Sequence, residues 1–353
     1  MARQTKHRRI APRSRFMPST GRWAHTYAAL DLGTHNCRLL VARPSRSGIR
    51  VIDAFSRIVR LGEGVGSSGR LSEAAQRRAI EAIQVCVEKM DRRGVNRYRA
   101  IATQACRLAS NRDQFVDRVM SETGVLLDVI DAREEARLAI KGCVPLLCPG
   151  SDYAIIFDIG GGSTQVVLVH CKSGSTTIVD SMSIPYGVVT LGEQIGTDAL
   201  DEQVYGRWVE TIREVLEAFC LRNKLAAKVA DGRVQMLGTS GTVTTLSGID
   251  RSLPRYIRSE VDGSYLAFDA AREISHRLRR MSLGQRADEP CIGKDRADLV
   301  LAGCIILEAI CSVWPVGRLR VADRGIREGI LQDLMKAADV ESATWGQMNG
   351  ERC

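Results

Sequence analysis

The chain has 353 residues, 44% of them apolar with few aromatics, 11 cysteines and a formal net charge of +9. That suffices for two aliphatic-cored domains, whereas no stretch is long and apolar enough to span a membrane. The cysteines include no CxxC pair, which argues against a zinc site; reduced thiols in a cytoplasmic protein are expected, with a basic charge suited to nucleic acid, anionic lipid or a polyanionic substrate.

Residues 1–26 hold Arg3, Lys6, Arg8, Arg9, Arg13, Arg15 and Arg22 and no acid. No apolar run follows, so the segment reads as a disordered basic arm and not as a signal peptide. It is either a solvated tail or an electrostatic arm for a polyanion. Residues 27–42, YAALDLGTHNCRLLVA, read as strand, turn and strand, with Asp31 ending the first. A third strand is expected over 49–55, and a glycine-rich loop near a cleft over 60–70. Ser72 is a plausible cap for a helix over 73–93, whose Ala75, Ala79, Ile83 and Val87 recur at helical spacing. A strand over 98–103 leads into Gln104 to Arg107. Asn111 starts a helix, and another strand covers 125–130. A helix over 132–143 carries Glu134 and Glu135. Pro145, Pro149 and Gly150 mark a junction between a first domain, 27–148, and a second, 149–338, with 339–353 as a tail.

The second half opens on the densest motif, YAIIFDIGGGSTQVVLV at 153–169. An apolar run ends in Asp158; Gly160, Gly161, Gly162, Ser163 and Thr164 follow, then a second apolar run. Glycines at such a bend let backbone N–H groups approach an anion, and a strand-end aspartate can hold a hard cation directly or through water. Superimposing Asp31 on Asp158 places Gly33 on Gly160 and Asn36 on Ser163, so the chain holds two hairpins of one pattern. A third turn, LGTSGT, follows the apolar run at 234–237. Strands are also expected at 176–181 and 319–322. Helices are expected at 200–223, from 243, over 272–280 and over 326–337, and an apolar buried one over 296–314. Both halves read strand–strand–strand–helix–strand–helix, which implies two related α/β domains with a ligand cleft between them.

The segments ALDLGTHNCRLLVA, IATQACRLASN, VIDAREEARLAIKG, FDIGGGST, LGTSGT and DRGIREGIL run in order along the chain. Together they resemble the actin/Hsp70/sugar-kinase superfamily, two ribonuclease H-like (actin-like ATPase) domains around a cleft. More closely they resemble the exopolyphosphatase/guanosine pentaphosphate phosphohydrolase (Ppx/GppA) family, in its short two-domain form. The resemblance implies hydrolysis of a terminal phosphoryl group of polyphosphate or guanosine pentaphosphate, with Mg²⁺. It implies Glu135 as general base, Arg107 as a phosphate contact, and Asp31 and Asp158 sharing the metal shell. Gly33, Thr34, Asn36, Gly160, Gly161, Gly162, Ser163 and Thr164 would cradle phosphate, as would Gly238, Ser240, Gly241 and Thr242 of the third turn. Arg296 is a further phosphate candidate, with an interdomain salt bridge as the other reading. No membrane and no specific nucleic-acid partner is implied. A homodimer is reasonable from the family and from the apolar 296–314 segment.

The chain departs from the family at Gln165, where a metal-holding glutamate usually ends the glycine turn. An amide keeps an oxygen acceptor but loses the charge, so weaker metal binding is expected. His35 is also unusual and reads as a turn residue without a catalytic role. Two rival functions stay open. One is a non-catalytic sensor of polyphosphate or an alarmone. The other is a small-molecule kinase of the same superfold, which the EEAR segment disfavours.

Overall fold

The computed structural model describes residues 21–350 except 47, 173, 174, 197 and 198; for 175 and 345–350 only the backbone is described. Tyr27–Leu32 (β1) is buried on both faces apart from Asp31, as a central strand must be. It pairs antiparallel with Asn36–Ser45 (β2) and parallel with Arg97–Ala102 (β4). Gly48–Ile58 (β3) and Leu127–Val129 (β5) complete a sheet of order β3-β2-β1-β4-β5.

The second sheet grows in the same way around Tyr153–Ile159 (β6). Its other strands are Thr164–Lys172 (β7), Ser175–Ile184 (β8), Val234–Thr239 (β9), Tyr265–Ala267 (β10) and Arg318–Ala322 (β11), in the order β10-β11-β9-β6-β7-β8. Five of them, in the order β8-β7-β6-β9-β11, reproduce the first sheet one for one, and β10 is an added antiparallel edge. Even an irregularity repeats. The β2–β3 register slips between Val41 and Ala42, and the β7–β8 register between Leu168 and Val169, the positions that coincide when Asp31 is laid on Asp158.

Each domain lends a helix to the other. Ala132–Cys143 follows β5, yet its Ala136, Ile140 and Cys143 pack on Ile156, Val167 and Val169 of the second sheet. Ile326–Gly350 follows β11, yet its Ile330, Leu331 and Met335 pack on Tyr27, Ala29 and Leu40 of the first. The expected division at 148/149 does not express this exchange. The tail expected at 339–353 is, through Gly350, the end of that same helix. The two helices cross at Gly142 and Gly329. A Cβ on Gly142 would overlap the Gly325 carbonyl, and one on Gly329 the Leu138 carbonyl. Bare backbone is what lets them meet.

Two further expectations change. The first twenty residues of the basic arm lie outside the described residues, but Gly21–Ala24 forms a short turn. Arg22 docks it on the closing helix, its Nε donating to Asp339 Oδ2 at 2.6 Å. The apolar helix, observed at Val300–Val313, is enclosed by the second domain's core, so its apolarity leaves no exposed face to argue for a homodimer. No helix among the described residues is long and apolar enough to cross a membrane.

Candidate active site

The turns after β1 and β6 close with equivalent hydrogen bonds. Gly33 N–H donates to the Asn36 carbonyl (2.8 Å) and Gly160 N–H to the Ser163 carbonyl (2.9 Å). The turns touch across the domain boundary: a Cβ on Gly161 would lie 3.1 Å from Thr34 Cβ and 3.2 Å from His35 N. A Cβ on Gly162 would overlap the Gln104 side chain. Close approach of backbone is thus the reason for glycine here. The third turn caps the helix Gly241–Asp250, with Ser240 Oγ accepting from Val243 N–H (3.1 Å). That N-terminus opens on the same cleft, where it favours an anion.

One cavity collects most of the expected residues. Asp31, Gly33, Thr34, Asn36, Glu135, Asp158, Gly160, Gly161, Gly162, Ser163, Ser240, Gly241, Thr242 and Arg296 all line it. Among the described residues Arg296 makes no interdomain ion pair; that role falls to Asp298, whose Oδ2 meets Arg60 Nη2 at 2.8 Å.

The two adjacent glutamates part ways. Asp131 caps the helix through Glu134 N–H (2.7 Å), which fixes its first turn at the cleft. Glu134 turns outward to Arg137 (2.6 Å) and Arg99 (2.8 Å), and those cations, Arg137 foremost, hold its carboxyl down to about 2. Glu135 turns inward. Burial raises its carboxyl above the ordinary range against the pull of Arg107, whose Nη1 donates to Glu135 Oε2 at 2.7 Å and to the Ile130 carbonyl at 3.0 Å. Environments that push neighbouring carboxyls apart assign them different tasks.

Asp31 and Asp158 stand near the ends of the two central strands, and their carboxylates have no hydrogen bond or ion pair among the described residues. Burial raises both, and burial together with neighbouring Glu135 pushes Asp158 up to about 7. Two oxygen donors without protein partners fit Mg²⁺, which usually binds through one or two carboxylates, waters and substrate phosphates. They do not make an all-protein cage: among the described residues no group of three or more His, Cys, Asp or Glu could hold a metal ion.

Four expected residues are placed otherwise. Arg107 stands behind Glu135 and orients it; it is absent from the cavity wall. Thr164 is fully buried and its hydroxyl donates to the Tyr186 carbonyl (2.8 Å). Gly238 lies in β9, where the Phe157 ring occupies the space of a Cβ (2.5 Å), so it serves packing. Gln165 is absent from that cavity's wall; its Nε2 donates to Ser183 Oγ (2.8 Å) and more weakly to Ser163 Oγ (3.4 Å), so it braces the turn.

Arg38, Thr103 and Gln104 line the cavity without having been expected. The internal repeat could have found the first. Arg38 stands opposite Asp31 in register as Gln165 stands opposite Asp158, so the hairpin superposition carries one onto the other. Gln104 Oε1 is buried without a partner among the described residues, and no pattern in the sequence marks it.

His35 is 7% exposed, and among the described residues neither ring nitrogen has a partner. Burial first, and Arg60 second, lower it from 6.5 to about 4. Between those two values the unfolded chain binds a proton that the folded chain refuses, so stability falls as pH drops from 6.5 toward 4 and then levels off. The loss is about 3 kcal/mol at most, taking 1.36 kcal/mol per unit. His35→Gln should flatten that part of the curve. Urea unfolding of both proteins between pH 7 and 4 reads the difference; parallel curves would clear His35 of the effect.

Residues 40–338 match the model of the Ppx/GppA phosphatase family. The chain is 30% identical to exopolyphosphatase 2 of Mycobacterium tuberculosis over 321 residues, covering 87% of this chain and 98% of the relative. It is similar to the crystal structure of the Aquifex aeolicus Ppx/GppA family member, with TM-score 0.73, 26% identity, and 89% and 98% of the two chains covered. An exopolyphosphatase structure from Cytophaga hutchinsonii shares the fold, with TM-score 0.77 at 21% identity and 88% and 98% coverage. The paired domains are those of the actin-like ATPase fold, with the glycine turns at its cleft. By the extent of these matches the chain belongs to the Ppx/GppA phosphatase family.

Proposed function

We propose that this protein hydrolyses a terminal phosphoanhydride bond, releasing phosphate from the end of inorganic polyphosphate or from guanosine pentaphosphate. The observation that carries the reading is Glu135: an inward-facing, partly buried carboxylate anchored by Arg107 at the edge of a cavity walled by two phosphate-cradle turns. The M. tuberculosis relative's activity, as its name gives it, points the same way.

Attack of water on a phosphoryl group needs orientation, charge neutralisation and late proton removal. Glu135 accepts a hydrogen bond from the water, aims it and takes its proton. Its raised proton affinity makes it a better base than a free glutamate at neutral pH. Arg107 holds the carboxylate in place and keeps it ionised. Backbone N–H groups of Gly161 and Gly162 and the helix N-terminus at Gly241 receive the phosphoryl oxygens. Arg38 and Arg296 offset the charge of the leaving chain. Asp31 and Asp158 would hold Mg²⁺, which when bound neutralises phosphate charge and draws electrons from the bond that breaks.

A sensor that only binds phosphate has no use for a base pinned toward the cavity, so turnover is expected. The test is phosphate release from polyphosphate and from guanosine pentaphosphate, each with Mg²⁺ and with a chelator. Release from at least one, lost on chelation, is expected. Binding of both without release would select the sensor, and ADP formation with a small-molecule acceptor the kinase.

A further inference from the structure

A small cavity lies in the seam between the domains, beside the one already described. His35, Arg60 and Glu63 line it from the first domain, and Glu193, Asp298 and Leu299 from the second. His35 and Leu299 also line the larger cavity, so they form the partition between the two. Backbone fixes the first domain's side of the seam. The His35 carbonyl accepts from both Val59 N–H (2.9 Å) and Arg60 N–H (3.0 Å), which sets the imidazole beside the Arg60–Asp298 ion pair.

Two groups in this seam are incomplete. His35 is more than nine-tenths buried, and among the described residues neither ring nitrogen has a partner. Asp298 Oδ1 is likewise buried without a partner, although its Oδ2 holds Arg60. Burying a polar group without a hydrogen bond costs free energy. One of these groups can donate and the other can accept. They stand on opposite domains and within electrostatic reach of each other. The other two acids of the cavity have no such need. Glu63 and Glu193 are exposed; Glu63 pairs with Arg78 (2.8 Å), and Glu193 accepts weakly from Gly64 N–H (3.4 Å).

We infer that His35 and Asp298 pair across the seam when the cleft closes on a phosphate ligand, a His35 ring N–H donating to Asp298 Oδ1, and that His35 thereby positions the first cradle turn against the second domain. This deepens the proposed function and rests on it for the ligand alone. His35 stands between Thr34 and Asn36, so a bond from its ring fixes the backbone of that turn. The pairing brings a proton with it. Burial first, then Arg60, Arg296 and Arg38, keep the ligand-free imidazole neutral, and Asp298 acts the other way. Bound phosphate offsets those cations while Asp298 Oδ1 accepts from the ring, and both changes favour the imidazolium. Ligand and proton therefore bind together. Affinity rises as pH falls from the titration point of the bound state toward that of the free state, about 4.

The probe is a methylene-bridged analogue of tripolyphosphate, which cannot be hydrolysed, added with Mg²⁺ to the full chain. Nuclear magnetic resonance of ring-labelled histidine follows His35, identified as the signal lost in His35→Gln. Without the analogue the ring should stay neutral down to about pH 5; with it, the midpoint should rise by about one unit or more. The ratio of the His35→Gln Kd to the wild-type Kd should grow up to about ten-fold as pH falls from about 7 to 5, and taking the ratio cancels titration of the analogue itself. Asp298→Asn should weaken binding at the acid end by a similar factor, and the double variant should lose little more than either single one. Melting without ligand should instead show the two substitutions simply adding. An unmoved His35 midpoint, or losses in Kd that add, would overturn the pairing. Coupling already present without ligand would overturn it too, because the contact would then be a fixed part of the fold. Failure of the analogue to bind also overturns it. Phosphate release is read separately. A protein that shifts His35 on binding but releases no phosphate keeps the pairing and loses the catalytic reading.

Discussion

Glu135→Gln is expected to lower phosphate release by about 10²-fold or more while leaving KM within about two-fold. The amide has the shape of the carboxylate, and its oxygen can still accept from Arg107, so the cavity wall and the phosphate cradle stay as they are. What goes is the ability to take the proton of the attacking water. A loss in kcat without a loss in binding is the pattern of a group that acts only in the transition state. Glu134→Gln is the internal control. It breaks partly exposed ion pairs to Arg137 and Arg99, worth about 0–1 kcal/mol of stability, and should leave turnover unchanged. Single-turnover assays with polyphosphate under saturating Mg²⁺ separate the two. If Glu134→Gln is the slow variant and Glu135→Gln the normal one, the roles assigned to these neighbours are reversed. The pH profile gives a second reading. Glu135 must be ionised to act and is raised by burial, so the acidic limb of kcat should lie above its ordinary value of 4.5. Activity falls as pH drops through that limb, and Glu135→Gln should remove it.

The hairpins were legible because two physical signals coincide there. Apolar runs of strand length end in aspartate and glycine, and the run occurs twice at matching offsets. The structure adds that the match extends to the closing hydrogen bonds and to the bulge beyond Val41 and Leu168. What one hairpin could not show was side-chain direction. Thr164 and Gln165 point to opposite faces of β7: Thr164 meets the Tyr186 carbonyl, while Gln165, on the same face as its in-register partner Asp158, is held by Ser183 of β8. Arg107 was visible as a residue tied to the chemistry but not as the partner of Glu135, since 28 positions separate them. The helix exchange was hidden for a related reason. An amphipathic pattern states that a face is buried and does not state against what.

Gly142→Ala should destabilise the protein by about 1–3 kcal/mol and slow turnover as well. The helix that carries Glu135 at one end carries Gly142 two turns later, where it meets the loop entering the closing helix. An alanine methyl there would overlap the Gly325 carbonyl, which is backbone and cannot rotate away. One helix must lift off the other, and both are fixed to sheets of opposite domains, so the displacement reaches the cleft. Propensity alone argues the reverse, since alanine in a helix interior is favoured over glycine by about 1 kcal/mol. Gly206 isolates that term: it is an exposed glycine in the helix Glu202–Arg222 with nothing within 4 Å of an added Cβ. Gly206→Ala should therefore stabilise by about 0.5–1 kcal/mol and leave the rate alone. Urea unfolding and phosphate release for the two variants set the same substitution against itself, with opposite signs expected. A Gly142→Ala protein that gains stability like Gly206→Ala would mean that the crossing relaxes freely. In that case the two glycines are not what holds the Glu135 helix at the cleft.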